Sequence, residues 1–338
     1  MVRWWIIVVV VGFAVFSAAG CNRDVGGAAP RASESPSASS GAETTGAETR
    51  GAKARGAKAH GAVMVGAGDI ARCSEREDAR ATAELLDSIP GTVFTTGDNA
   101  YPRGTAAQFE DCYDPSWGRH KERTKPAPGN HEYYTPGARG YFGYFGEAAG
   151  EKGKGYYSYD RGAWHVISLN SMCEEVGGCG PDSRMLAWLE KDLAENPEKE
   201  CTLAYFHHPL FSSGKHGNQA KMRPTWEVLY AAGADVVVNG HDHSYERFAP
   251  QRPDGTLDPE RGIREFVVGT GGAENYPFSA IEPNSRARNT GTDGVLKLTL
   301  DAGSYGWEFV PVAGETSFAD SGTAACHAGV GDAEEDPA

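Results

Sequence analysis

Short apolar runs, rich in β-branched residues and each breaking off into a polar cluster, constrain this chain more than any other feature. Val63-Met64-Val65 leads into Gly68-Asp69, and Val93-Phe94 leads into Gly97-Asp98-Asn99-Ala100-Tyr101. Leu203-Ala204-Tyr205-Phe206 leads into His207-His208-Pro209, and Val236-Val237-Val238 leads into Asn239-Gly240-His241-Asp242-His243. Trp164 to Leu169 is a further run of the same kind. Runs this short and this branched read as strands buried on both faces. Between them lie helical patterns over Asp78–Asp87, Ser183–Ala194 (Leu186, Leu189 and Leu193 on one face) and Trp226–Ala232. Buried strands alternating with helices predict an α/β sheet with its functional groups at the strands' C-terminal ends. Ile263–Val268, Val295–Leu300 and Tyr305–Val310 instead alternate apolar and polar residues, with Asp301–Ser304 as a hairpin turn. The expected fold is a four-layer α-β-β-α sandwich, two mixed β-sheets packed face to face and flanked by helices.

The flanks differ in composition. Arg3 precedes a continuous apolar stretch from Trp4 to Phe16, and Ser17-Ala18-Ala19-Gly20 then leads into Cys21. Residues 1–20 therefore read as an export signal. A Cys directly after Ala-Ala-Gly resembles the lipobox of bacterial lipoproteins, with Ala18 where that motif prefers Leu, and implies Cys21 as the lipid attachment site. Plain secretion and an uncleaved anchor helix are the other readings. Residues 21–61 are dominated by Ala, Gly, Ser, Thr and Pro and include the pentads GAETT, GAETR, GAKAR and GAKAH. Such a segment buries too little apolar surface to offset its ordering entropy, and is expected to be a linker. A catalytic domain is expected over 62–326 and an acidic tail over 327–338.

Six cysteines remain after Cys21: Cys73, Cys112, Cys173, Cys179, Cys201 and Cys326. In an oxidising compartment they can form three disulfides in fifteen ways. Cys173 and Cys179 are close enough to staple a Gly-containing loop; for the rest, Cys73–Cys112 and Cys201–Cys326 is the expected pairing. The charge is −14, from 32 Lys+Arg against 46 Asp+Glu, which argues against a nucleic-acid binder. No apolar run beyond the first twenty residues is long enough to cross a bilayer. The expected partner is a small substrate, with membrane contact only through the lipid anchor; the oligomeric state is left open.

Chemistry concentrates in five clusters: Gly68-Asp69, Gly97-Asp98-x-x-Tyr101, Gly129-Asn130-His131-Glu132, His207-x-Pro209 and Gly240-His241-x-His243. Alone, each reads as a turn or a structural histidine. Together they offer Asp, Asp, Tyr, Asn, His, His and His, all competent metal ligands, with glycines before four of the five to let the backbone turn. Seven oxygen and nitrogen donors exceed what one tetrahedral zinc uses, whereas two ions about 3.5–4 Å apart need a bridging carboxylate. A donor set without thiolate suits Fe, Zn or Mn.

Asp69, GDNAY (97–101), GNHE (129–132), FHHP (206–209) and GHDH (240–243) resemble the five signature blocks of the calcineurin-like metallophosphoesterases, in the family's order. Most of that superfamily has Asp-x-His in the first block; here it is Asp69-Ile70-Ala71, and Tyr101 three residues after Asp98 resembles the purple acid phosphatases. The resemblance implies the metallophosphoesterase fold and two metal ions, Fe(III) plus Zn, Fe(II) or Mn. It puts Asp69, Asp98, Tyr101 and His243 on the iron, with Asp98 bridging and Asn130, His207 and His241 completing the second site. His207 is chosen over His208 because the family's ligand stands two residues before Pro. His131 resembles the histidine that binds phosphate and protonates the leaving alkoxide, and His216, nine residues after His207, resembles a second one.

The implied activity is hydrolysis of phosphate monoesters by a metal-bridging hydroxide, in a secreted or cell-surface enzyme. A phosphodiesterase or pyrophosphatase on the same metals, and a non-catalytic metal-binding surface lipoprotein, are the alternatives. Other features read as structural. Glu132 is expected to orient a neighbour and Gly269-Thr270-Gly271-Gly272 to be a turn; Tyr133-Tyr134 and Tyr141-Phe142-x-Tyr144-Phe145 are read as packing, with lining of a substrate rim as the alternative. His60, His120, His165 and His327 are read as structural or exposed.

Overall fold

The computed structural model describes residues 61–314 and 317–327. The export signal, Cys21 and nearly all of the linker and tail lie outside the described residues.

The chain folds into two sheets. The first has strand order β13-β12-β11-β1-β2-β3, formed by Ser321–Ala325, Ser304–Pro311, Gly294–Asp301, Ala62–Ala67, Thr92–Thr96 and Thr124–Ala127. β1, β2 and β3 run parallel, and the remaining pairs are antiparallel. The second has order β10-β8-β9-β7-β6-β5-β4, formed by Ser285–Asn289, Tyr245–Phe248, Arg264–Val268, Val236–Asn239, Cys201–Tyr205, Trp164–Ser168 and Tyr157–Arg161. Here β5, β6, β7 and β9 are parallel.

The two-residue period of a strand divides the central strands of the second sheet between two cores. Val166, Leu203, Val236, Val238, Phe266 and Val268 join Met64, Val65, Val93 and Phe94 of the other sheet in one cluster. Their chain neighbours Ile167, Ala204, Val237 and Val267 point the other way, onto Met185, Leu186 and Leu189 of one helix and Trp226 and Leu229 of another. Those helices are Arg184–Glu195 and Arg223–Ala231, and a third, Arg76–Ser88, buries Ala79, Ala83 and Leu86 in the first cluster. Each large apolar side chain so buried contributes roughly 1.5–3 kcal/mol. The sandwich matches expectation, and helix ends fall within a few residues of it.

The sequence patterning missed strands. β13 lies beyond the last apolar run, is built of Ser-Gly-Thr-Ala-Ala, and is held by pairing with β12. All three expected disulfides form: Cys73–Cys112, Cys173–Cys179 and Cys201–Cys326. The last ties the start of β6 in one sheet to the end of β13 in the other. Tyr141, Phe142 and Phe145 are packing residues, as expected. His165 is buried between Asp160 (3.1 Å) and Asp192 (2.8 Å).

Candidate metal centre

The parallel strands β1, β2, β3, β6 and β7 all deliver their C-terminal ends to one side. Asp69, Asp98 and His241 follow β1, β2 and β7 with φ of 59°, 50° and 73°. Left-handed backbone costs a non-glycine residue on the order of 1–3 kcal/mol and persists where the surroundings impose it. Among the described residues five non-glycine positions show it, and three of them are expected ligands. Strain is thus concentrated where the metal donors turn inward.

The seven expected ligands meet. Asp69 Oδ1 accepts the Tyr101 hydroxyl at 2.9 Å and lies 3.3 Å from His243 Nε2. That hydroxyl is also 3.3 Å from Asp98 Oδ2 and 3.1 Å from His243 Nε2. Asp98 Oδ2 lies 3.2 Å from His207 Nε2, which faces Asn130 Oδ1 at 3.1 Å and His241 Nδ1 at 3.2 Å. Donor atoms of Asp69, Asp98 and His207 all fall within 4.8 Å of one another. His208, by contrast, turns to Ser171 Oγ at 2.8 Å, so His207 is the member of the pair that reaches the cluster.

Backbone carbonyls aim the imidazoles. His207 Nδ1 donates to the Thr96 carbonyl at 2.9 Å, and His243 Nδ1 donates to the Glu274 carbonyl at 2.7 Å. A carbonyl only accepts, so Nδ1 carries a proton and Nε2 is the atom that faces the cluster, able to bind a cation on giving up any proton of its own. Charge is equally concentrated. Burial opposes ionisation of Asp98, but the adjacent His207 outweighs it and holds the carboxyl at about 2. Burial likewise opposes charge on His207, yet Asp98 and Asp69 push it up to about 9. Burial, aided by His207 and His216, lowers His241 to about 2, and burial beside Asp69 and Asp98 lifts the Tyr101 phenol far above its usual range. Two buried carboxylates, a phenol, an amide oxygen and three inward-facing imidazoles fit a pair of hard or borderline cations.

The supporting contacts are specific. Glu132 Oε2 accepts the Asp98 and Gly129 N–H groups at 3.0 and 2.7 Å, and its Oε1 accepts that of Asn99 at 2.8 Å. It clamps the β2 loop to the β3 loop, the orienting role expected for it; burial pushes its carboxyl up to about 7. A Cβ on Gly129 would stand 2.2 Å from Asp98 Oδ1, so glycine lets that carboxylate pass. His131 Nδ1 donates to the Pro102 carbonyl at 2.7 Å, leaving Nε2 3.7 Å from Asp98 Oδ2. The exposed His216 places its ring 4.5 Å from that of His241.

Three features carried no functional signal. Tyr276 stacks on His243 at 4.2 Å and lies in a segment without a motif. Tyr134, read as packing, is instead 48% exposed and accepts the Asn130 amide N–H at 3.3 Å, fixing the amide so that its oxygen faces His207. The Gly269–Gly272 run is more than a turn: Gly271 donates to the Gly68 carbonyl and Ala273 to that of Asp69, both at 2.9 Å.

A family model, the calcineurin-like phosphoesterases, matches residues 65–245. Purple acid phosphatase 15 of Arabidopsis thaliana is 30% identical over an alignment of 237 positions, gaps included, that covers 59% of this chain and 43% of that protein. An acid phosphatase of Aspergillus ficuum is 25% identical over an alignment of 139 positions, gaps included, that covers 38% of this chain and 23% of that protein. The chain spans less than half the length of these curated relatives. In fold, purple acid phosphatase PPD1 from yellow lupin (Lupinus luteus) seeds superposes with a TM-score of 0.56 at 20% identity, covering 79% of this chain and 54% of that one. GAP50, the anchor in the inner membrane complex of Plasmodium, superposes at 0.60 with 12% identity, covering 80% of this chain and 90% of that one. With the family model spanning most of the strand ends that build the cluster, the chain belongs to the calcineurin-like phosphoesterases, and within them it is similar to the purple acid phosphatases.

Proposed function

We propose that this chain is a binuclear metal phosphatase hydrolysing phosphate monoesters. The observation that carries the reading is the convergence of Asp69, Asp98, Tyr101, Asn130, His207, His241 and His243 from five separate strand ends, with His131 and His216 beside them. Asp69, Tyr101 and His243 would hold one ion and Asn130, His207 and His241 the other, with Asp98 the carboxylate within reach of both groups. Bound there, two cations would supply the positive charge that acidifies water and offsets the charge of a phosphoryl group. With Nδ1–H held by the Pro102 carbonyl, the protonated His131 ring presents Nε2–H to a phosphoryl oxygen and gives that proton to the leaving group, returning to the neutral ring. His216 assists from the His241 side. Fe(III) suits the Tyr101 site, with Zn, Fe(II) or Mn in the other.

Three disulfides suit an oxidising compartment, and among the described residues no helix is long and apolar enough to cross a membrane. The disulfides agree with export; attachment through Cys21 rests on the residues before it in the sequence. The net charge of −14 favours a small phosphate ester over nucleic acid as partner.

Metal analysis with a visible spectrum, combined with rates on a nitrophenyl monoester and its diester, tests the reading. The expected result is two ions per chain, a broad charge-transfer band lost in Tyr101→Phe, and a clear preference for the monoester. Metal-replete protein inactive on every phosphate ester would overturn it; a faster diester rate would reassign the substrate.

A further inference from the structure

The loop after β6 that carries His216 rests on three buried carboxylates, all from the second sheet and its strand ends. Glu265 Oε1 accepts the Leu210 and Phe211 N–H groups at 3.1 and 3.4 Å. Glu246 accepts the Ser213 N–H at 2.8 Å and the Ser213 hydroxyl at 2.5 Å. Asp242 closes the series: its Oδ1 accepts the His216 N–H at 2.7 Å, and its Oδ2 accepts the Ser212 hydroxyl at 2.5 Å. Ser212 Oγ in turn accepts the Gly214 N–H at 3.0 Å. The loop lies so close that a Cβ on Gly214 would stand 2.2 Å from Asp242 Cγ.

The loop is buried through Gly214 and reaches the surface at Lys215 and His216, and the surface end of a loop ordinarily samples many conformations. This one is pinned at its far end by a carboxylate that is 1% exposed. Asp242 also belongs to the tight turn between the expected ligands His241 and His243, where its own N–H donates to the Gly240 carbonyl at 2.9 Å. One turn therefore sets both the metal donors and the register of the His216 loop. The exposed imidazole of His216 ends 4.5 Å from the His241 ring and 5.9 Å from Tyr276.

We propose that Asp242 is the positioning residue for His216, gripping its N–H and the Ser212 hydroxyl so that the imidazole overhangs the His241 side of the centre. The proposal rests on the phosphatase reading. It makes His216 a delivered functional group rather than an incidental loop histidine.

The test uses the full metal-loaded chain with His216→Ala, Asp242→Ala, Asp242→Asn and the double Ala variant. Metal content, thermal midpoint, affinity for inorganic phosphate, and kcat/KM on nitrophenyl and alkyl monoesters are measured. His216→Ala is expected to lower kcat/KM on the alkyl ester by about 10²-fold, the usual scale for a proton donor, and less on the nitrophenyl ester, whose leaving group needs little protonation. Asp242→Ala should reproduce that leaving-group pattern with both ions retained. The double variant should be no worse than His216→Ala, because a carboxylate acting through the imidazole has nothing left to do once it is gone. Asp242→Asn keeps an oxygen for the His216 N–H and should recover most of the rate.

Losses that multiply in the double variant, or an Asp242→Ala enzyme with unchanged alkyl-ester rates, would overturn the proposal. Should Asp242→Ala misfold or shed metal, Ser212→Ala takes its place: a loss seen only when His216 is present upholds the assignment, and an equal loss in both backgrounds overturns it. If the wild type hydrolyses no ester, the phosphatase reading fails separately. The phosphate affinities of the same variants then decide the positioning role by the same non-additivity.

Discussion

The two sheets contribute different chemistry to the centre. The first supplies oxygen, from Asp69 after β1, Asp98 and Tyr101 after β2, and Asn130 after β3; the second supplies nitrogen, from His207 after β6 and His241 and His243 after β7. Neither sheet alone holds a usable site. The bonds that aim the donors also cross between them: His207 donates to Thr96 of the first sheet, and the His241 N–H donates to Asp69 Oδ2 at 2.8 Å. At the sandwich's other end the sheets are tied by Cys201–Cys326 and by the Trp164 indole N–H on the Asp301 carbonyl at 2.9 Å. The site is therefore a property of the seam between sheets.

If oxygen and nitrogen halves depend on one shared group, Asp98→Ala should have the largest effect. Both ions should be lost together and kcat/KM should fall at least ~10³-fold, since several kcal/mol of charge stabilisation goes with them. Full metal content in that variant would break the bridging assignment. His131→Ala belongs to neither donor set and should keep both ions while kcat falls about 10²–10⁴-fold; metal analysis alongside kinetics separates the two cases. Cutting the tie at the far end, with Cys201→Ser and Cys326→Ser together, should cost about 2–5 kcal/mol in denaturant unfolding. Thermal inactivation should move down with it. Unfolding at an unchanged midpoint would show that the seam holds without that tie.

The smallest expected effect is a pH dependence at the same tie. Asp235 accepts the His327 and Thr202 N–H groups there, and burial raises its carboxyl to about 6, above the ordinary 3.8. The folded chain thus binds this proton more tightly than the unfolded chain. That contribution is fully present below about pH 4 and is lost as pH rises toward 6. Asp235→Asn should flatten the stability profile in that window, as read from denaturant midpoints at several pH values.

Legibility in the sequence follows the same division of labour. Asp69, Asp98 and His241 could be read because each stands just past a β-branched run, beside a glycine that admits a close backbone. The central strands were visible because burial on both faces leaves them almost wholly apolar. β13 was not, since an edge strand of Ser, Gly, Thr and Ala draws its stability from β12 and disulfide-linked Cys326, not from its own pattern. The contacts of Asp242 and Tyr276 depend on residues about thirty positions away along the chain, that of Tyr134 on a partner only one helical turn back whose amide orientation no pattern reveals, and the polar bonds of Glu265 to Leu210 and Phe211 leave no local periodicity. Gly269–Gly272 was legible as a turn, but not as the backbone strap against Asp69.

The left-handed trio at 69, 98 and 241 also narrows which descendants this fold can have. A β-branched or bulky replacement there is rejected by backbone sterics before any question of ligand chemistry arises. Drift at those three positions is channelled toward asparagine, aspartate, histidine or glycine. Exchanges among the first three keep a polar donor in place, so this backbone favours changing the preferred ion over abandoning the centre.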